Sequence, residues 1–142
     1  MAGQPYVEGF AEFDVNDIKV TWEQGTAGGN NLAILDLNEA FNITVTFAGK
    51  GTQWQNMQNL GLQYNVAIFA EGIGLPPVDQ NLGVTAGNLV PGQQVPYEVV
   101  CNIGGINQSG VYRLAAMVTF PTWTGWLGFL EGPFIQVHDQ EQ

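Results

Sequence analysis

The sequence has few charged residues and very few basic ones. Lys, Arg, Asp and Glu make up 11% of its 142 residues, against about 25% in an ordinary soluble domain. Lys19, Lys50 and Arg113 are the only Lys and Arg residues, and 13 acidic residues give the chain a net charge of -10. Nucleic acids and anionic membranes bind clustered cations. We therefore expect neither of them as a partner.

Long apolar runs and paired cysteines are also missing. No run approaches the ~18 to 20 apolar residues that span a bilayer, and the start, MAGQPYVEGF, lacks the basic and apolar segments of a signal peptide. We expect a soluble chain from the cytoplasm or a virion, or a mature surface protein. Cys101 is the single cysteine, so it forms no internal disulfide, and its apolar strand context predicts a core residue.

Residues for catalysis and metal binding are equally scarce. Ser109 is the only serine and His138 the only histidine in the sequence, and Ser109 lies in no Gly-x-Ser-x-Gly turn. The last two predicted strands bring Ser109 and His138 close, but we expect that proximity to be chance. One His and one Cys do not suffice for a zinc site. We predict no enzymatic activity, no cofactor and no metal.

Calcium is the alternative that the acidic residues leave open. Seven of the 13 acids fall within the first 39 residues, and calcium accepts scattered oxygen ligands, although no Asp-x-Asp-x-Asp-Gly loop is present. We expect these acids to be solvated on edge strands, with a structural calcium site as the alternative. They are Glu8, Glu12, Asp14, Asp17, Glu23, Asp36 and Glu39.

What the sequence does contain is period-two alternation of apolar and polar residues, broken by Gly, Pro and Asn clusters. AFNITVTFAG places Phe41, Ile43, Val45 and Phe47 on one face, as a half-buried strand does. Helical periodicity is nearly absent. About eight strands are predicted, in DIKVTWE, LAILDLN, AFNITVTFAG, LQYNVAIFAEG, the region of Leu82 and Val84, QVPYEVVCNIG with Val95 inward, the run from Tyr112 to Phe120, and PFIQVHD. This pattern favours an antiparallel β-sandwich.

The chain is long enough to form one core, and we predict a single domain over residues 1–142. Residues 1–16 form a possible N-terminal arm, in which Tyr6 and Phe10 could add as an edge strand to another subunit. An additional strand of the same domain is the alternative. The stretch GTAGGNN at 25–31 is predicted to be a loop.

Three segments resemble immunoglobulin-like domains. In GVYRLAA, Tyr112 resembles the tyrosine of the tyrosine corner, which lies at the start of the sixth strand of immunoglobulin-like domains. NLVPGQQVPYEVV is similar to the turn and fifth strand of bacterial or viral adhesion-type modules, and GLQYNVAIFAEG to their third strand. The cysteine pair and core tryptophan of antibody domains are missing. The resemblance covers roughly residues 38 to 138 and implies an immunoglobulin-like sandwich that binds, spaces or assembles.

The segment PTWTGWLGFL concentrates aromatic residues around Thr124-Gly125, which has the composition of a two-residue turn. Such a turn would place Trp123 opposite Trp126 and Phe120 opposite Phe129. This loop carries more apolar area than one hairpin needs, and exposed apolar patches mark interfaces. The predicted interface residues are Phe120, Trp123, Trp126, Leu127, Phe129 and Leu130, with Tyr6 and Phe10 of the arm.

Three readings of this loop stay open: a hairpin folded onto its own sandwich, contact with another chain, or stacking on a ligand. Asn and Gln number 25, so the surface is polar but weakly charged and favours packing between copies. We predict a non-enzymatic structural or assembly module that self-associates, as a homo-oligomer or filament, or binds a protein partner. The alternative is a carbohydrate-binding module with Trp123 and Trp126 as its stacking platform.

Overall fold

The computed structural model describes residues 12–23, 25–28, 32–74, 77–122 and 127–139. These residues form an all-β fold with nine strands and one short helix, one strand more than the sequence pattern predicts. In chain order the elements are β1 (Glu12–Trp22), β2 (Gly25–Gly28), β3 (Ala33–Asp36), β4 (Phe41–Lys50), α1 (Thr52–Asn59), β5 (Gln63–Gly72), β6 (Gln80–Asn88), β7 (Tyr97–Ile103), β8 (Gly110–Thr119) and β9 (Leu127–His138).

The strands form two sheets that pack on each other as a sandwich. One sheet has the order β2-β1-β4-β7 and the other β3-β9-β8-β5-β6. All neighbouring strands are antiparallel except β3 and β9, where Ala33 pairs with Ile135 in a parallel ladder. The predicted antiparallel sandwich is therefore confirmed as the fold class, with one parallel pair at the edge where β3 joins the second sheet after the chain has crossed over from the first.

Alternating apolar residues build the core, as the sequence pattern predicts. Along β4, Phe41, Ile43, Val45 and Phe47 are each at most 3% exposed, while their polar neighbours point outward. The prediction that Val95 points inward is wrong, because it is 68% exposed. The strand β7 begins only at Tyr97, directly after Pro96, whose backbone has no N–H for a ladder.

The helix α1 follows β4 and covers one end of the sandwich, which the sequence pattern did not predict. Its Trp54 and Met57 are buried, and the Trp54 ring lies so close to Gly49 that a side chain there would collide with it. Phe13 and Phe120 pack against one another in an edge-to-face contact with ring centroids 5.2 Å apart. Trp54 contacts both rings, so this aromatic cluster ties α1 to both sheets.

Two predicted loop or arm segments contain strand. Residues 12–16 of the predicted N-terminal arm belong to β1, where Phe13 pairs with Gly49 of β4 and Val15 with Phe47. Gly25–Gly28, predicted as part of a loop, form β2 and pair with the end of β1. Residues 1–11 and 29–31 lie outside the described residues.

Candidate interaction surface

The connection between β8 and β9 is longer than the predicted two-residue turn. Thr119 pairs with Leu127 and Met117 with Phe129, whereas a turn at Thr124-Gly125 would pair Phe120 with Phe129. That predicted register is wrong. Phe120 leaves the ladder to enter the core, and the next residue, Pro121, has no N–H to donate.

The predicted interface residues fall into four groups. Phe120 is only 1% exposed, packed in the aromatic cluster, so it offers no surface to a partner. Leu130 is partly buried against the core. Leu127 and Phe129 are 60% and 57% exposed. The other four, Tyr6, Phe10, Trp123 and Trp126, lie outside the described residues.

Leu127 and Phe129 belong to a wider apolar surface on the outer face of the five-stranded sheet. Directly paired residues of neighbouring strands point to the same face of a sheet. Phe129 pairs with Met117, Met117 with Ala67, and Ala67 with Val84, so one apolar row crosses four strands. Ala115 and Phe69 are paired on the same face. We call the following set the apolar face: Leu127, Phe129, Ala115, Met117, Ala67, Phe69 and Val84.

A charged cluster lies beside the apolar face at one end. Arg113 Nη2 lies 3.4 Å from Glu131 Oε1, and the guanidinium stands 5.2 Å from the centre of the Phe134 ring. Arg113 also pairs along the sheet with Glu71. These side chains are partly exposed, so the ion pair contributes little to stability. Their effect is to limit the apolar face on that side.

Tyr112 ties the start of β8 to the segment before it. Tyr112 is completely buried, and its hydroxyl donates to the carbonyl of Gln108, four residues upstream, at 2.6 Å. Burial raises the pKa of the Tyr112 hydroxyl above its ordinary value of 10.0, so it stays protonated and able to donate.

A cleft of about 370 Å³ separates α1 from the segment before β7. Gln58, 3% exposed, forms its inner wall and donates through Nε2 to the carbonyl of Gln93 and to the Tyr97 hydroxyl, both at 2.8 Å. Exposed amides of Gln55 and Gln94 line its mouth. The cleft is therefore walled mostly by amide and backbone groups over buried aromatic rings, and Lys50 also belongs to its lining.

Cys101, His138 and Ser109, the residues considered for catalysis, lie in different surroundings. Cys101 is buried, and burial raises the pKa of its thiol above its ordinary value of 9.0, which disfavours the nucleophilic thiolate. His138 Nε2 lies 3.1 Å from Asp36 Oδ1, on the neighbouring β3. Ser109 makes no hydrogen bond to His138 in the part of the chain that the structure describes.

No group of three or more His, Cys, Asp or Glu side chains within residues 12–23, 25–28, 32–74, 77–122 and 127–139 could hold a metal ion. Within these same ranges, no helix has both the length and the apolar character to cross a membrane.

Sequence reasoning identified Leu127 and Phe129 but missed the rest of the apolar face. The sequence does contain a signal for it, because β5 and β8 contain VAIFA and LAAMV, in which the residues between the inward-facing ones are apolar as well. A strand that is apolar on both faces is typical of one covered on both sides. The pattern of inward-facing residues alone does not reveal Ala67, Phe69, Ala115 and Met117.

Comparison with known proteins gives a likeness to a solved structure but no family. The chain matches no protein-family model and no curated protein. It is similar to part of a beta-glucosidase from Listeria innocua, solved in complex with gluconolactone, with 12% identity and a TM-score of 0.48. The match covers 93% of this chain and 17% of that one. A likeness at this level says nothing about activity.

Proposed function

We propose that this chain is a non-enzymatic structural or assembly module that associates with protein, including copies of itself, through the apolar face and the adjoining loop that carries Trp123 and Trp126. The observation that supports this proposal is the exposure of Leu127 and Phe129, at 60% and 57%, on the outer face of β9. Large apolar side chains grouped on a surface are characteristic of contact sites.

The proposal includes an immunoglobulin-like sandwich. It is supported by the order β1-β4-β7 in one sheet and β9-β8-β5 in the other, which matches strands A, B and E facing G, F and C of that architecture. The hydrogen bond of Tyr112 to Gln108 supports it further. Such modules carry their functions on faces and loops rather than in an enclosed catalytic site.

Two double variants test the proposed function. Trp123→Ser with Trp126→Ser, and Leu127→Ser with Phe129→Ser, remove apolar area from the loop and from β9 without touching the buried core residues. Val100→Ser is the matched control, because Val100 is 51% exposed on the outer face of the other sheet. We expect both double variants to lower the mass of the assembly in light scattering while the control keeps it. Unchanged mass in both would contradict the proposal.

Carbohydrate binding is the second candidate function, and the cleft beside α1 is the observation that favours it. Amide groups at its mouth and wall, from Gln55, Gln58 and Gln94, are suited to sugar hydroxyls. A glycan array tests it, with Gln55→Ala and Trp123→Ser as separate variants. Loss of a bound glycan in the first would assign the cleft, and loss in the second would assign the tryptophan loop. An array without any bound glycan would exclude this function for the glycans tested.

A further inference from the structure

The two outer faces of the sandwich differ sharply in chemistry. On the four-stranded sheet, the row through Asp17, Thr46 and Glu98 is polar and acidic, and the row through Thr21, Asn42 and Asn102 is polar. The row between them holds Lys19, Thr44 and Val100, so Val100 is its one apolar residue. On the five-stranded sheet, the row from Phe129 to Val84 is apolar on all four strands. In a sheet with one face exposed to water, the residues on that face are normally polar. The apolar face therefore has the composition of a covered surface.

The charge distribution indicates what can cover it. A chain with a net charge of -10 repels a second copy unless the two meet where carboxylates are absent, because like charges placed together cost several kcal/mol. The apolar row and the neighbouring row of Leu127, Thr119, Asn65 and Ala86 contain no charged residue. The row of Ala115 and Phe69 ends at Glu131, whose carboxylate lies 3.4 Å from the Arg113 guanidinium. The outer face of the other sheet carries the carboxylates of Asp17 and Glu98. A copy of the chain can therefore dock on the apolar face with fewer carboxylates brought together than on the opposite face.

The size of the apolar face is consistent with a second copy of the chain as its partner. Four strands spaced ~4.8 Å apart, over the roughly five residues of ~3.4 Å that the apolar face covers along them, span about 330 Å² in plan. Protruding side chains such as Phe129 and Val84 make the accessible area larger. Each partner in a standard protein interface buries about 800 Å², with an apolar centre and a polar rim, so the apolar face has the size of the centre of a dimer interface and the polar residues around it supply the rim.

From these three observations we infer that a second copy of this chain packs its own apolar face against this one, forming a closed, two-fold symmetric dimer. The inference rests on the proposed function and names its partner and surface. Pairing one face with the same face on the partner is isologous, which closes at two subunits rather than growing into a filament. Met117 and Ala67 lie in the middle of the face and become buried in the dimer.

Sedimentation equilibrium of two matched variants tests this inference. Val84→Glu places a carboxylate on the apolar face, at a position 60% exposed, and Val100→Glu places one on the opposite outer face, at a position 51% exposed. We expect the wild type and Val100→Glu to have twice the chain mass. Val84→Glu is expected to weaken the dimer by at least about tenfold, because two carboxylates enter the interface together. Equal dimer stability in the two variants would overturn the inference.

A second measurement needs no variant. Hydrogen peroxide oxidises accessible methionines, and Met117 is partly exposed in the single chain while Met57 is fully buried. We expect oxidation of Met117 to slow as the protein concentration rises through the dissociation constant of the dimer, with Met57 unreactive throughout. A rate for Met117 that does not depend on concentration, in a sample whose mass doubles, would overturn the inference.

Failure of this inference can be told apart from failure of the proposed function. A dimer that survives Val84→Glu but dissociates in the Trp123→Ser, Trp126→Ser variant keeps the assembly function and rejects the apolar face as the contact. A mass that continues to grow with concentration keeps assembly and rejects the closed dimer. A wild type that stays at the single-chain mass of 15.4 kDa rejects the second copy as partner.

Discussion

At the residue scale, the chemistry of single side chains was predictable where it depends on local pattern. Cys101 was predicted as a core residue and is 3% exposed, and the corner role of Tyr112 agrees with its bond to Gln108. Phe120 was misjudged, because nothing in its neighbours along the sequence indicates that it meets Phe13 and Trp54. Those contacts form across sheets and depend on tertiary packing.

The hydrogen bond from Tyr112 to the Gln108 carbonyl predicts a measurable difference between two tyrosine variants. Tyr112→Phe removes the donor to Gln108 O and is expected to lower the free energy of unfolding by about 1 to 2 kcal/mol. Tyr64→Phe is the matched control, because the Tyr64 hydroxyl makes no hydrogen bond to the described residues, and we expect a change within about 0.5 kcal/mol. Urea unfolding of both variants is the measurement. Equal losses would show that this hydrogen bond contributes nothing specific.

At the element scale, long strands were predictable and short elements were not. The strands β4, β5, β7 and β8 alternate so regularly that inward and outward residues follow from the sequence. The helix α1 has eight residues, a glycine N-cap without a side-chain hydrogen bond, and few apolar positions, so packing of Trp54 and Met57 rather than propensity holds it. The strand β2 is made of Gly, Thr and Ala, and it forms because β1 offers an edge for pairing.

The side chain of Gln58 links α1 to the segment before β7, and this link leads to a prediction about stability. Gln58→Ala removes the donor to Gln93 O and Tyr97 Oη, and we expect a loss of about 1 to 3 kcal/mol in the free energy of unfolding. Hydrogen exchange in residues 90–96 should also become faster. Gln55→Ala is the matched control, since it makes the same change on the exposed side of the same helix. A loss of stability in the control as large as in Gln58→Ala would contradict this account.

At the scale of the whole molecule, the all-β class followed from composition and alternation, while the pairing of strands did not. The parallel contact of β3 with β9 and the register at Thr119 and Leu127 depend on how the sheets close around the core. The apolar face also emerges only at this scale, since Phe129, Met117, Ala67 and Val84 come from four separate strands. The proposed contact surface is therefore a property of the strand register.

Buried titratable groups predict how the stability of the whole domain depends on pH. Burial raises the pKa of the Cys101 thiol above 9.0 and those of the Tyr64 and Tyr112 hydroxyls above 10.0. Above about pH 9 the unfolded chain loses these protons while the folded chain keeps them, so unfolding becomes easier as pH rises. We expect the free energy of unfolding to fall between about pH 9 and pH 11.

The onset of this alkaline loss can be assigned with one variant. Of these three buried groups, the Cys101 thiol has the lowest ordinary pKa. Cys101→Ala removes it, so the fall in the free energy of unfolding should begin about one pH unit higher than in the wild type. Urea unfolding at a series of pH values measures both curves. A wild-type stability that is flat across this range would contradict the assignment of buried, protonated groups.

The most direct test of self-association is the absolute mass of the wild-type chain, measured by light scattering behind a sizing column over a wide concentration range, with calcium and with a chelator. We predict twice the chain mass of 15.4 kDa, falling to the single-chain mass only on strong dilution and unaffected by calcium. A mass of 15.4 kDa at every concentration would contradict self-association through the apolar face, and a mass that follows calcium would show that the acidic residues bind the ion.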